Sequence, residues 1–461
     1  MKIAKWLFLI ILPLLLIFAF LPQILSTSLG NNLFFRLVYK KTGIIANSGQ
    51  ADFSWLGPQK FQYLVVRNKQ FRGSAQALEV GTPLWNLSEF FDLKNLSKST
   101  GGIRLKNGSF TFYPGAQLKN VELSGKFHES SFNFIASGSS EQDSQRGSFS
   151  FEGKLLSATK FSLHGSLHSF PTTPLDYLFS KLHLLERGIF TQTFGKWMDL
   201  EGSASLSDRK GSLDAALKSP NIVCSLAGSL DENLFTLRKP FTANLLLTPE
   251  ASQWILRKMN PLFLTGIKAK NPIQIHIEPD GFSCPVSNFS LKNLEIDQGT
   301  LAMGQVICKN GASLASVLSI LKIPPTQEMT IWFSPMAFQL REGTLYTGRM
   351  DALIANSAHI CTWGTIDLIH EQLHLFLGLT AKTLEKVFGI TSLRSDYVLK
   401  IPISGSTKNP IISVEGAAVK IAALKASESI FKGTLPGKLL KAFLPNDPDV
   451  PPASRPFPWE R

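Results

Sequence analysis

The sequence predicts a mainly β protein: an elongated antiparallel β-sheet or groove with a few interrupting helices, preceded by one N-terminal transmembrane helix. Three observations carry that expectation. Apolar and polar residues alternate in short runs closed by Gly, Asn or Ser about every 8–12 residues, the pattern of half-buried strands joined by tight turns. Phenylalanine outnumbers tyrosine 34 to 6, supplying strand-forming side chains that need no hydrogen-bond partner. No charged residue occurs between Lys5 and Arg36.

That uncharged stretch comes first in the chain. Trp6 to Ser28 is 23 residues, roughly 34 Å as a helix, against a hydrocarbon layer of about 30 Å. Pro13 would kink such a helix, which membrane helices tolerate. Ser26 and Ser28 are small enough for a signal cleavage site, but the apolar run is longer than a signal peptide needs, so an uncleaved anchor is expected. Lys2 and Lys5 on one side are balanced by Arg36, Lys40 and Lys41 on the other, and charge alone leaves the orientation open. No later apolar run is long enough to span.

After the anchor the dominant period is two. "GGIRLKNGSFTFYPG" sets Ile103 and Leu105, then Phe110 and Phe112, in alternation. The same device returns at Phe132 and Phe134, at Phe149 and Phe151, and at Ile273, Ile275 and Ile277 before a Pro-Asp-Gly turn. Helices interrupt where the period changes. In "PTTPLDYLFSKLHLL", Thr173 is the expected N-cap, Pro174 the first helical residue and Asp176 the capping-box partner, with Leu175, Leu178, Phe179 and Leu182 as one stripe. "LTPEASQWILRKMN", "ASLASVLSILKIPP" and "KTLEKVFG" are further candidates. Two segments echo each other: "GSLDENLFTL" from Gly228 and "GTIDLIHEQLHL" from Gly364 share a Gly-led strand, an Asp and a polar turn, as one hairpin design used twice. The end, "LPNDPDVPPASRPFPWER", is Pro-rich and expected to be extended or disordered.

The net charge of +13 is spread along the chain, with no dense Lys/Arg run interleaved with aromatics, so no nucleic-acid partner is expected. Cys224, Cys284, Cys308 and Cys361 are far apart, with no C-x-x-C; a chain this long folds without staples, and free thiols are expected. There is no phosphate-binding Gly-Lys loop, no dinucleotide fingerprint and no nucleophile elbow, and the acidic residues are too scattered to pair. No catalytic residue, metal ligand or cofactor is nominated, and an enzyme is not expected.

One motif argues the other way. "HEQLH", His370 to His374, is the five-residue signature of a zinc peptidase if it is helical, because residues four apart share a face and Glu371 would serve as base. Gly364 and Gly378 bracket it, however, and "TIDLIHEQLHLFL" reads equally well as two strands around a His-Glu-Gln turn. The sister segment has neither histidine, and no third ligand follows at the spacing zincins use. The hairpin is the expected structure.

The C-terminal third resembles the closing module of AsmA-like proteins. The residues concerned are "FSPMAFQLREGTLYTGRMDALIANSAHICTWGTIDLIHEQLHLFLGLTAKTLEKVFGI" and "YVLKIPISGSTKNPIISVEG", with the Ile401-Pro402-Ile403-Ser404-Gly405-Ser406 ending and Asn409-Pro410 beyond it. "DFSWLGPQKFQYLVVRN", from Asp52, is similar to the start of such proteins. The expected organisation is then an anchor at 1–29, a β-rich body with short helices at 30–329, an AsmA-like β module at 330–416, and an amphipathic helical and Pro-rich tail at 417–461. The resemblance implies a single-pass protein of the bacterial inner membrane with its body in the periplasm, and a groove whose apolar side binds or conducts phospholipid or lipopolysaccharide between membranes. Leu373, Leu375, Leu377 and Leu379 are the candidate groove-lining, lipid-binding row. The alternatives are an assembly or scaffolding factor for outer-membrane proteins, acting by β-augmentation, and, more distantly, the membrane-anchored zinc metallopeptidase through HEQLH.

Overall fold

The computed structural model describes residues 19–69, 71–84, 101–113, 115–128, 131–157, 160–181, 187–248, 266–286, 290–309, 311–391, 393–431 and 449–460. The chain divides into two compact units, Met1–Pro220 and Asn221–Arg461. Both are mainly antiparallel β with few helices, as the alternation requires.

Most of the predicted span at 6–28 lies outside the described residues. The part that is described is helical but not continuous. Helix α1 (Leu21–Ser26) stops at Thr27, whose extended backbone breaks the rod and whose hydroxyl accepts from Gly30 N (3.2 Å), capping α2 (Ser28–Thr42). Among the described residues no helix is long and apolar enough to cross a membrane. Gly43, in the left-handed conformation, closes α2.

The first unit is a meander. Strands β1 (Ile45–Asp52), β2 (Gln59–Arg67), β3 (Phe71–Val80), β4 (Gly102–Phe112), β5 (Ala116–His128), β6 (Ser131–Gln142), β7 (Gln145–Ser157), β8 (Lys160–Pro171), β9 (Trp197–Ser207) and β10 (Lys210–Lys218) each pair antiparallel with the next. The tightest turns, Asp143-Ser144 and Asp208-Arg209, hold both residues at positive φ, which matches the strand twist. At the N-terminal end α2 lays Phe35 on Phe53, Phe61, Leu64, Ala75 and Val80 to form a core cluster. Asn31 Nδ2 donates to Ser48 O (3.1 Å) and ties the helix to β1.

Between β8 and β9 sit α3 (Thr173–Lys181) and α4 (Ile189–Phe194). The expected capping box is not formed. Thr173 is already helical, and Asp176 turns inward, where its carboxylate accepts from Gly188 N (2.9 Å) and Phe190 N (3.1 Å). It therefore caps the next helix rather than its own, because α4 begins at a glycine with no side chain to do so. Leu178 is exposed, so the predicted stripe is narrower than the spacing suggested.

What holds the meander in register is a repeated contact between phenylalanine and glycine. Phe110 lies over Gly73, Phe132 over Gly125, Phe149 over Gly138, Phe134 over Gly153 and Phe151 over Gly165. A Cβ built on those glycines would come within 2.5, 2.3, 2.7, 2.6 and 2.2 Å of the respective rings. Four of the five are direct cross-strand partners; Phe132 reaches Gly125 diagonally. Each ring gains a flat apolar seat and shields a backbone that glycine leaves bare.

The second unit has a branched ladder. Strand β11 (Ile222–Asp231) pairs with β12 (Leu234–Leu237) and β13 (Phe241–Leu245). The line continues through β15 (Ile273–Ile277), β17 (Glu295–Ala302), β20 (Met336–Arg341), β21 (Thr344–Ile354), β22 (Ala358–Asp367), β23 (Gln372–Thr380), β24 (Val398–Gly405) and β25 (Pro410–Ile412). Strand β16 (Phe282–Pro285) joins β12 to β17. The long β21 gives its first half to β20 and its last residues to β19 (Glu328–Phe333), which leads to β18 (Gly304–Lys309) and β14 (Gly266–Ala269). Helices α5 (Ala312–Ile320), α6 (Ala381–Phe388) and α7 (Val414–Phe431) complete the unit, and α5 buries Leu314, Val317 and Leu318. Most of the candidate helix in "LTPEASQWILRKMN" lies outside the described residues. The two sister hairpins are β11–β12 and β22–β23, with Glu232 and Glu371 at matching positive φ in their turns.

Gly165→Val is expected to destabilise the first unit by about 1–3 kcal/mol by forcing Phe151 off its seat. Chemical unfolding with a Phe151→Ala/Gly165→Val double variant checks the cause: its loss should fall well short of the sum of the single losses. Additive losses would mean that the ring and the glycine do not act as a pair.

Candidate functional site

The Phe–Gly pairing sorts the side chains of β5–β10 onto two chemically different faces. Cross-strand register places Leu123, Ala136, Phe151, Gly165, Gly202 and Ala215 in one row. The next row runs Gly125, Phe134, Gly153, Leu163, Ala204 and Leu213, and the one after it Phe132, Leu155, Phe161, Leu206 and Gly211. No polar side chain interrupts them. The opposite face is polar: Ser124, Ile135, Glu152, His164, Ser203 and Asp214 form one row, with Lys126, Asn133, Lys154, Ser162, Ser205 and Ser212 beside it. A shallow concavity of about 770 Å³ lies along these polar rows.

The apolar face is closed at one end and open towards the other. At the closed end Val121, Phe149, Leu167 and Phe170 are buried, with Leu175 of α3 packed against them. Further along, Phe132, Phe134, Phe151, Leu155, Phe161 and Leu206 are only half-buried, and Leu163 is 37% exposed. A continuous row of Phe, Leu and Ala left half in water is a candidate interaction surface.

The predicted lining row behaves differently. Leu373, Leu375, Leu377 and Leu379 share one face of β23, as the period of two requires, but each is at most 1% exposed. They fill the closed core of the second unit, opposite Ile401 and Ile403 of β24, and leave no surface for an acyl chain.

"HEQLH" is the turn and return strand of the β22–β23 hairpin, not a helix. His370 sits in the turn, where its Nδ1 pairs with Asp367 Oδ2 (2.7 Å), and His374 lies in the strand opposite Thr365. The two imidazoles are thus not presented on a helical face, and the zincin geometry is lost. The Asp367 carboxyl is held below its ordinary value by the hydrogen bonds it receives from His370. Among the described residues no group of three or more His, Cys, Asp or Glu side chains could hold a metal ion.

One cluster escaped the sequence reading. Asp351, fully buried on β21, accepts from Arg349 Nε (3.0 Å) and Nη2 (2.7 Å) and pairs with His359 Nε2 (2.8 Å). Burial alone would lower the Arg349 pKa; the hydrogen bond and charge of Asp351, with Cys361 adding to them, leave it raised. Arg349 Nη1 also donates to Pro451 O (3.2 Å), and His359 packs edge-on against Phe457 (4.9 Å) and Trp459 (5.4 Å). The buried charges therefore latch the C-terminal segment. Residues 449–460, expected to be extended or disordered, are docked through Phe457, which is 1% exposed. The legible signal was a charge at i and i+2, Arg349 and Asp351, inside an otherwise uncharged strand.

No family model, no curated protein and no solved structure matches this chain.

Phe457→Ala should cost about 3–5 kcal/mol in the unfolding of the second unit, and proteolysis at 449–460 should become fast; an unchanged midpoint would mean that the segment contributes nothing. Burial pushes the Cys361 thiol up to about 12. The unfolded thiol releases its proton near 8.5, so its contribution to stability is complete below that value and lost between there and about 12. Alkylation at pH 8 should accordingly spare Cys361 until the protein unfolds, and fast native labelling would contradict its enclosure.

Proposed function

We propose that this chain is a non-enzymatic, membrane-anchored envelope protein that binds lipid, and conducts it, along the apolar face of its first unit. The single observation that carries this reading is the half-buried row of Phe, Leu and Ala side chains across β5–β10, backed by glycines and continuous over six strands. An acyl chain needs just this: apolar contact over a long path, without hydrogen-bonding groups that water would have to leave. The uncharged stretch from Trp6 supports anchorage, and the AsmA-like resemblance of the C-terminal third supports a periplasmic body and phospholipid or lipopolysaccharide as cargo. In this scheme the second unit, whose β23 leucine row is buried, plays a structural part.

The test is the lipid content of the full-length protein after gentle extraction, read by native mass spectrometry. Phe134→Asp/Leu163→Asp puts two carboxylates into the half-open rows and should lower co-purifying lipid by about tenfold, as apolar contact is replaced by charge that must be desolvated. Leu375→Asp should instead destabilise the second unit and leave lipid on the first. Unchanged lipid in the Phe134/Leu163 variant would remove the apolar face from the mechanism.

A further inference from the structure

A cleft of about 970 Å³ lies at the other end of the first unit, between α2 and the adjoining ends of β1, β2 and β3. Three arginines line it: Arg36 from α2, Arg67 at the end of β2 and Arg72 at the start of β3. The ladder sets Arg67 directly opposite Arg72, a register in which like charges repel. Among the described residues no Asp or Glu lines the cleft, and none of the three arginines has a carboxylate partner. Lysines elsewhere in the unit do: Lys119 pairs with Glu141, Lys160 with Asp208 and Lys196 with Asp143. Asn32, Asn47 and Asn68 add amide groups around the same space.

Three uncompensated guanidinium groups around a concavity favour a polyoxygenated anion, and their forked donors fit a phosphate better than a point charge would. The helix that supplies Arg36 indicates where that phosphate sits. Leu29, Leu33 and Leu37, four residues apart along one side of α2, are 77%, 58% and 62% exposed. Arg36 and Lys40 are exposed on the same helix. A short helix with an outward leucine row and basic neighbours is built to lie in the headgroup layer of a bilayer.

We propose that the Arg36–Arg67–Arg72 cleft binds the phosphate of an anionic phospholipid while the leucine row of α2 rests in the membrane surface. The site is separate from the apolar sheet face: it recognises the headgroup, and it stands whether or not acyl chains travel along β5–β10.

The experiment is a binding titration of the full-length protein in mild detergent with short-chain phosphatidylglycerol, short-chain phosphatidylcholine and inorganic phosphate. Phosphatidylglycerol should bind about tenfold or more tightly than phosphatidylcholine. Arg36→Ala/Arg67→Ala/Arg72→Ala should abolish that preference, whereas Lys126→Ala/Lys154→Ala/Lys218→Ala, which removes equal charge from the same unit, should keep it. Because the arginines are exposed and repel one another, the arginine variant should unfold no earlier than the parent. Arg67→Lys/Arg72→Lys, which keeps the charge but loses the fork, should give an intermediate preference. The proposal is overturned if the parent shows no preference, or if the lysine variant loses it equally. It is also overturned if inorganic phosphate binds as tightly as the lipid, which would make the cleft a site for free phosphate. Because the readout is headgroup preference and not lipid content, failure here leaves the apolar-face reading to its own test.

Discussion

A phenylalanine ring laid over the glycine of a neighbouring strand is the contact on which the first unit depends. Among the described residues of the first unit all strands belong to the one antiparallel meander, so its apolar side chains find one another within the sheet. Gly138 and Gly165 let Phe149 and Phe151 lie flat across the backbone, where any side chain would hold the ring away. The same device recurs in the second unit, where Phe338 covers Gly299 and Phe235 covers Gly228. It fixes register, because a slip of one residue would move every ring to the polar face. The aromatic surface it creates lies low and continuous instead of standing out as separate knobs.

The two units resolve the same alternating pattern in opposite ways. In the second unit helix α5 and the leucines of β23 contribute to a closed core, and a buried charge cluster holds the C-terminal segment in place. Asp351 tolerates full burial there because Arg349 donates to it and His359 Nε2 pairs with it; removing Arg349 would leave the carboxylate with inadequate compensation. In the first unit helix α3 closes only one end of the apolar face. The lipid-binding role we propose rests on this apolar surface that the fold leaves half in water, and the headgroup role we propose for the arginine cleft rests on a separate set of residues.

The histidines of HEQLH illustrate how a motif depends on its geometry. Its five letters would mean metal on a helix, where residues four apart meet. In a hairpin, His370 instead enters the turn and satisfies Asp367, and His374 faces outward from a strand whose leucines face in. The turn, not the alternation, keeps the two histidines apart: His370 stays in it on Asp367, and His374 continues on the strand.

The class of fold was legible in the sequence, because strand alternation and turn residues are local: β4, β15, β22, β23 and β24 lie where period two placed them, and helices α5 and α6 lie in two of the candidate helical segments. The hairpin reading of HEQLH was legible for the same reason. Only the tertiary structure decided which apolar rows are enclosed and which stay open, since burial depends on what packs from elsewhere in the chain; Leu375 and Leu163 look alike in sequence and differ by what lies above them. Thr173 and Asp176 matched a capping box, yet Asp176 serves α4, because the orphan amides at Gly188 and Phe190 compete for it in space. Hairpins bring Arg67 to Arg72 and His359 to Asp351, but only the tertiary structure adds Arg36 of α2 to the first pair and the segment from Pro451 to the second.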